Sequence, residues 1–368
     1  MMQPRVEELL ARLVAFPTVS ASSNLALIDW VQEFLQDAGF CVTRIDAQDA
    51  PKAGLLAKFG AGDGGTLLSA HSDVVPTEGQ DWSVDPFALT PRGDRLHGRG
   101  TTDMKGFVAC VLALAESFRE TPPARPVSIA LSWDEEVGCR GIPQMIDHVI
   151  PVLGKPDLCV VGEPTLMRLA VGHKGKASYR ATCHGEPGHS AMAPRFINAL
   201  HLAADLITAL RREQTRLLAE GAQDGAYDIP SSTVHAGKMR GGVALNIVPE
   251  LAEVDFEIRH LAAEQPQDIL ERIRSVLPEG VDIAQVSAYP GLDSDPALPA
   301  IRRLAALLPD PTPIKVSYGT EAGFFAAQKI PTVVCGPGTM NDGHQPDESI
   351  ARDQLGLCSD VLNRLVRG

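Results

Sequence analysis

Hydrophobic positions recur at helical spacing at the start of the chain and then gather into short, continuous runs. Residues 6–14 and 27–35 repeat apolar side chains at helical spacing, and Gly39 follows as a stop signal. Strands are predicted at residues 41–45, 55–59, 67–70, 127–132 and 158–161, and the run at 127–132 predicts a buried one. Residues 103–119 predict a helix between two of these strands. Helices that alternate with buried strands predict an α/β domain.

The pattern changes in the middle of the chain. Strand, helix, strand, strand, helix and strand follow in order at 179–183, 198–217, 232–240, 252–260, 266–277 and 281–284. This βαββαβ order predicts a compact inserted domain. The α/β pattern then resumes with elements at 297–308, 332–335 and 350–366. We therefore expect a discontinuous domain of residues 1–172 and 288–368 that is interrupted by a domain of residues 173–287.

The bulk composition excludes several classes of protein. A hydrophobic content of 44% over 368 residues indicates packed domains rather than a disordered chain. The net charge of −13 argues against a nucleic-acid partner. No apolar run is long enough to span a membrane and the first residues lack a signal-peptide core, so we expect a cytoplasmic protein without a membrane partner. The scattered cysteines form no CxxC pair, which predicts reduced thiols.

Potential metal ligands lie on five separate short motifs: His71, Asp103, Glu136, Glu163 and His344. Three of these motifs directly follow apolar strands, and sites in open α/β sheets form at the carboxyl ends of strands. Two imidazoles and three carboxylates suit a pair of zinc ions that share one carboxylate and one hydroxide. We therefore predict a dinuclear metal site.

Each motif also has a plainer interpretation when it is taken alone. The His-x-Asp triplet at 71–73 is common in turns, Asp103 could cap a helix, and the acidic run at 134–136 could be a solvated turn. Five residues of the correct ligand type at strand ends or in loops are hard to produce by accident. Glu135 is not needed as a ligand, and it is placed to act as general base.

Three stretches carry a family resemblance: Arg95–Gly106, Gly319-Thr320-Glu321-Ala322-Gly323 and Gly336-Pro337-Gly338. In motif order and domain plan, essentially the whole chain resembles the zinc-dependent deacetylase, desuccinylase, aminoacylase and carboxypeptidase family. The resemblance implies a zinc-peptidase-like catalytic domain in which helices flank a mixed central sheet. It also implies that the inserted domain is a ferredoxin-like α+β lid through which a homodimer forms.

The resemblance also implies a role for each residue of the metal motifs. Asp103 would bridge two divalent ions, most simply Zn²⁺, for which Co²⁺ could substitute. His71 and Glu163 would complete one site, and Glu136 and His344 the other. Glu135 would be the general base, Asp73 would support His71, and the Asp103–Met104 peptide bond would be cis.

Further residues are implied to bind the substrate. His189, in the loop 185–191, would reach the active site of the partner subunit and stabilise the oxyanion. Asn246 and Arg259 would hold the carboxylate of the substrate. Lys174 is either a further contact or a surface lysine. Glu321 either pairs with an ammonium group of the substrate or is an acid at a helix N-terminus.

The implied activity is metal-dependent hydrolysis of a small N-acyl amino acid, in which a metal-bound hydroxide attacks with the help of Glu135. Within the family, the resemblance implies removal of the acetyl group from N2-acetyl-L-ornithine, a step of arginine biosynthesis. Desuccinylation of succinyl-diaminopimelate, broader N-acyl amino acid hydrolysis and carboxypeptidase activity remain open. A non-catalytic metal- or amino-acid-binding protein is the alternative from a different class.

Overall fold

The structure, a computed structural model, describes residues 2–368 and divides into two units. The first unit comprises the described residues up to 172 together with 292–315 and 320–368, and the second comprises 173–291 and 316–319. The predicted boundary after residue 287 falls inside the second unit because its last strand continues to Tyr289.

The helices are α1 (Met2–Val14), α2 (Leu25–Asp37), α3 (Gly106–Ser117), α4 (Ile142–Leu153), α5 (Ala199–Glu220), α6 (Pro266–Arg274), α7 (Pro299–Ala305), α8 (Ala322–Ala327) and α9 (Arg352–Arg367). Short helical turns cover Thr101–Lys105 and Ser190–Arg195. The strands are β1 (Cys41–Asp46), β2 (Ala53–Phe59), β3 (Thr66–His71), β4 (Thr90–Arg92), β5 (Arg95–His97), β6 (Val127–Ser132), β7 (Leu158–Pro164), β8 (Ala170–His173), β9 (Gly175–His184), β10 (Gly188–His189), β11 (Thr233–Gly241), β12 (Ile247–Val248), β13 (Leu251–His260), β14 (Val281–Tyr289), β15 (Leu292–Asp293), β16 (Ile314–Val316), β17 (Thr332–Gly336) and β18 (Ser349–Ala351).

A mixed sheet forms the centre of the first unit. Its strand order is β1-β2-β6-β3-β7-β17-β8-β15, and β16 pairs with β8. The neighbours β6, β3, β7 and β17 run parallel, whereas β1, β2 and β8 pair antiparallel to their neighbours. The carboxyl ends of the parallel strands therefore meet at one edge of the sheet, which is where α/β sheets form their sites.

Helices enclose this sheet. The helices α1, α3 and α9 contact one another, and α3 is buried at every residue from Gly106 to Ala115. A helix that is apolar all round has to be enclosed in this way. The helices α4 and α8 contact each other and lie against the strands β6 and β17. Every residue of β3 is buried, as expected for a strand that is covered on both faces.

The second unit has the predicted βαββαβ order. Its antiparallel sheet runs β11-β13-β9-β14, and a short ribbon pairs β10 with β12. Alternate residues of β9 and β13 are buried, and they form one core with the apolar faces of α5 and α6. The predicted α/β fold with an inserted ferredoxin-like α+β domain is confirmed.

Two predicted helices begin later than expected. The helix predicted from Asp103 begins at Gly106, because Asp103 (φ −121°, ψ 92°) and Met104 leave the helical region. The helix predicted from Ile350 begins at Arg352, because Ser349–Ala351 pairs with β5. Of the helices in the described chain, none is both long and apolar enough to cross a membrane.

Candidate metal centre

The predicted metal ligands of the first unit lie at the carboxyl end of the parallel strands. His71 is the last residue of β3, Glu163 is the penultimate residue of β7, and Glu136 follows β6. His344 comes from the loop after β17, and Asp103 comes from the short helical turn before α3. The Asp103–Met104 peptide bond is cis. A strand-end geometry therefore brings together residues that are far apart in the chain.

Asp103 lies at the middle of this cluster. Its Oδ1 is 3.1 Å from Nε2 of His71, and its Oδ2 is 3.1 Å from Nε2 of His344. The same nitrogen of His71 is 3.6 Å from Oε1 of Glu163, and that of His344 is 3.0 Å from Oε2 of Glu136. The two oxygens of Asp103 thus face different imidazoles, and each imidazole has a second carboxylate beside it.

These separations fit two metal ions. Ligand atoms bound at about 2.0–2.2 Å to a tetrahedral ion lie about 3.3–3.6 Å apart, and the observed nitrogen–oxygen distances are 3.0–3.6 Å. Ligand atoms of His71, Asp103 and Glu136 also come within 4.8 Å of one another, as do those of His71, Glu135 and Glu163. The donor set of two imidazoles and several carboxylates can therefore hold two divalent cations.

The charges of the cluster favour the binding of cations. Burial opposes the charged form of His71, but hydrogen bonding to Asp103 and Asp73 raises its pKa well above the usual range. Hydrogen bonds to Asp103 and Glu136 raise the pKa of His344 to about 10. Burial raises the pKa of Glu136 to about 7 and that of Glu163 well above its usual range. Buried carboxylates at this density need positive charge beside them.

Glu135 lies next to the cluster and is partly exposed. Burial raises the pKa of its carboxyl group to about 8, while the neighbouring imidazole of His71 lowers it. The thiol of Cys139 donates a hydrogen bond to Oε1 of Glu135 at 3.4 Å. A carboxylate beside the metal ligands with few partners of its own has the geometry of a general base.

Asp73 has more partners than the sequence suggested. Nδ1 of His71 is 2.9 Å from the backbone carbonyl of Asp73 and 3.5 Å from its carboxylate. The carboxylate accepts hydrogen bonds from the backbone N–H groups of Glu135 (3.1 Å) and Glu136 (3.3 Å) and from the hydroxyl of Ser20 (2.6 Å). Asp73 therefore holds the loop that carries the base as well as the ring of His71.

Sequence reasoning missed several buried residues around the centre. Ser20 gives no local signal, because an isolated serine is common anywhere in a chain. Glu348 and Arg99 form an ion pair at 2.7 Å in which both side chains are 1% exposed. The position of Glu348 directly before the buried strand Ser349–Ala351 could have indicated a buried carboxylate. A buried acid is seldom without a partner, so the sequence could also have predicted a basic residue beside it.

His189 and Asn246 lie side by side in the second unit. The strand pairing places His189 opposite Ile247, and the N–H of Ser190 donates to the carbonyl of Asn246 at 3.1 Å. Both His189 and Asn246 are exposed. Nδ1 of His189 accepts a hydrogen bond from the N–H of Ala191, which leaves Nε2 as the nitrogen able to meet a ligand.

Arg259 and Lys174 are held by neighbours within the second unit. Arg259 donates to Oε1 of Glu257 at 2.9 Å and to the hydroxyl of Tyr289 at 3.0 Å. Lys174 is buried and donates to the carbonyls of Ile229 and Ser231 at 2.8 and 2.6 Å. Two of the donors of Lys174 are therefore used inside the protein.

Glu321 is buried in the first unit, with 1% of its surface exposed. The hydroxyl of Ser132, at the end of β6, donates to its Oε1 at 2.6 Å. Burial raises the pKa of Glu321 to about 8. The residue thus contacts the end of the strand that leads into the acidic loop 134–136, and it precedes α8 as the alternative interpretation expected.

The fold and the ligand set together define a two-metal hydrolase. Residues 67–368 match the family described as peptidase family M20/M25/M40, and the chain belongs to that family. The family assignment made from the sequence is confirmed. The chain is a metallohydrolase that acts on amides.

Individual relatives agree with this assignment. The chain is 30% identical over 381 aligned positions to an acetylornithine deacetylase of Vibrio atlanticus (strain LGP32), and the match covers 100% of this chain and 99% of the relative. Among solved structures, a tripeptidase of Staphylococcus aureus is similar, with a TM-score of 0.79 and 17% identity over 99% of this chain and 98% of that one. A dinuclear metal-binding M20 peptidase of Bacillus subtilis is also similar, with a TM-score of 0.71 and 14% identity over 99% and 97%. At these identities, the two structures support the fold alone.

Proposed function

We propose that this protein hydrolyses N2-acetyl-L-ornithine to L-ornithine and acetate. The observation that carries the reaction class is the position of Asp103, whose two oxygens face the imidazoles of His71 and His344, with Glu135 and the other carboxylates of the cluster beside them. The choice of substrate is supported by the relative that aligns over 99% of its own length and is named an acetylornithine deacetylase. The reaction is a step of arginine biosynthesis, and we propose a cytoplasmic location for it.

The metal ligands in this proposal are His71, Asp103, Glu136, Glu163 and His344. Two divalent ions, Zn²⁺ or Co²⁺, would acidify a water molecule and polarise the acyl oxygen when bound. Glu135 accepts a proton from the attacking water and passes it to the leaving nitrogen. Asp73 holds the loop of Glu135 and Glu136 by their N–H groups, so the base keeps its position through both proton transfers.

In this proposal most substrate contacts come from the second unit, which was predicted as residues 173–287. This unit acts as a dimerisation lid. Asn246 and Arg259 bind the carboxylate of the amino acid, and the geometry of Arg259 is kept by Tyr289. His189 of the partner subunit donates to the oxyanion. Lys174 is the remaining candidate contact, although it also donates to two carbonyls.

Glu321 is proposed to favour a cationic side chain. Its carboxyl group has Ser132 as its hydrogen-bond partner, and an ammonium group nearby would favour the ionised form. Because Glu321 is buried, the favourable effect on ornithine would be electrostatic rather than a direct ion pair.

The proposal is tested by ornithine release from N2-acetyl-L-ornithine. Protein stripped by a chelator is assayed before and after Zn²⁺ or Co²⁺ is restored. Release that depends on the metal supports both the site and the substrate. If only other N-acyl amino acids or peptides are cleaved, the substrate is wrong and the amide hydrolase stands.

A further inference from the structure

The carboxylate of Glu348 lies beneath the segment that carries Asp103. Its Oε1 accepts hydrogen bonds from the N–H groups of Thr102 (2.9 Å) and Asp103 (3.1 Å), and its Oε2 accepts from the N–H of Gly100 (3.1 Å). The first N–H groups of a helical turn have no carbonyl partner within that turn. Glu348 supplies the missing acceptor to three of them at once.

A second set of contacts connects Glu348 to His344. Arg99 donates to Oε2 of Glu348 at 2.7 Å and also donates to Oε1 of Gln80. The amide nitrogen of Gln80 donates to the backbone carbonyl of His344 at 2.9 Å, and Trp82 donates to Oε1 of Gln80 at 3.0 Å. The guanidinium of Arg99 also lies 4.9 Å from the ring centre of Trp82. One network thus reaches the backbone of two metal ligands.

His344 needs such support because of its backbone. It has a φ of 61°, in the left-handed region, and its side chain is 44% exposed. The imidazole ring of His344 is held mainly by its contacts with Asp103 and Glu136. The hydrogen bond from Gln80 fixes the carbonyl of His344, and the buried ion pair fixes Gln80.

We propose that Glu348 is a positioning residue of the metal centre. Together with Arg99 and Gln80, it holds the backbone of residues 100–103 and of His344 so that the oxygens of Asp103 face His71 and His344. The affinity for metal ions and the geometry around them then depend on Glu348, although it binds no metal itself. This inference rests on the proposed metal centre and is independent of which N-acyl substrate is cleaved.

The test compares Glu348→Gln with a matched control, Glu213→Gln. Glu213 is also a buried glutamate with 7% of its side chain exposed, and it pairs with Arg216 and Arg272 in the second unit. Its partners are arginine side chains rather than the backbone of a metal ligand. Both substitutions remove a buried charge, so both should lower the unfolding temperature of the metal-free protein.

Metal binding separates a positioning role from a purely structural one. Chelator-stripped protein is titrated with Co²⁺ by calorimetry, and the visible absorption of the bound Co²⁺ is recorded. We expect Glu348→Gln to weaken Co²⁺ binding about 10–100-fold and to change the absorption spectrum. Glu213→Gln should keep the affinity and the spectrum of the unchanged protein. Unchanged Co²⁺ affinity and spectrum in Glu348→Gln would overturn the proposal.

A second variant covers the case in which Glu348→Gln does not fold. Gln80→Ala removes the hydrogen bond to His344 from a half-buried position and leaves the ion pair in place. It should also weaken Co²⁺ binding, and binding at full affinity with the original spectrum would overturn the network. In the unsubstituted protein, full Co²⁺ binding without ornithine release would reject the proposed substrate while leaving the positioning role intact.

Discussion

Replacing Asp73 by asparagine tests how the acidic loop is held. The substitution keeps the shape of the side chain, but one carboxylate oxygen becomes an NH₂ group. If the NH₂ group takes the place of Oδ1, it meets the N–H of Glu135, and if it takes the place of Oδ2, it meets the N–H of Glu136. The hydroxyl of Ser20 can rotate to accept from the NH₂ group, so the position of Oδ2 is favoured.

The magnitude follows from the hydrogen bonds that are lost. Asparagine in this orientation gives up the bond to the N–H of Glu136 and replaces a charged acceptor for Glu135 with a neutral one. A hydrogen bond to a charged group contributes about 1.5–3 kcal/mol, so we expect a cost of about 2 kcal/mol to the arrangement of the loop. That corresponds to about a 30-fold loss in kcat/KM.

The assay is the steady-state release of ornithine at saturating Zn²⁺, with metal content measured on the same samples. Asp157→Asn is the matched control, because Asp157 also accepts a backbone N–H, that of Gly65 at 2.7 Å, but it precedes β7 at the opposite end of the strand from Glu163. The control should keep its activity. Full activity and normal metal content in Asp73→Asn would refute the view that Asp73 holds the catalytic loop.

Three further substitutions test separate parts of the structure. Glu135→Gln should retain its metal ions and lose about 10²–10⁴-fold in kcat, and a metal-replete variant with ordinary turnover would remove Glu135 as the base. His189→Ala should lower kcat far more than metal content, since its free nitrogen is proposed to serve the oxyanion; unchanged turnover argues against that role. His173 is fully buried, and burial lowers its pKa to about 4, so the fold disfavours its protonation. The unfolded chain binds a proton below about pH 6.5 while the folded chain does not. Between pH 8 and pH 5 the metal-free protein should therefore lose about 2 kcal/mol of stability that His173→Gln does not lose, as measured by urea unfolding; identical losses would contradict this.

Much of the fold was predictable because its signals are local. Buried parallel strands are continuous apolar runs, and the alternation of β9 and β13 has a period of two. The ligand types at the ends of β3, β6 and β7 could be found because a polar residue directly after a buried strand has to lie at the edge of a sheet. Those strand ends predicted where the site lies without any knowledge of packing.

The detailed structure of the site was decided by contacts between distant segments. Asp103 and His344 are 241 positions apart, and Asp103 and Glu348 are 245 positions apart. The start of α3 moved to Gly106 because the backbone at Asp103 serves the site rather than the helix. Hydrophobic periodicity reports which face of an element is buried, but it carries no information about which buried polar group meets which. Those partners are selected only when the sheet closes, because each buried N–H and carboxylate must then find a hydrogen bond among the groups that folding has brought near.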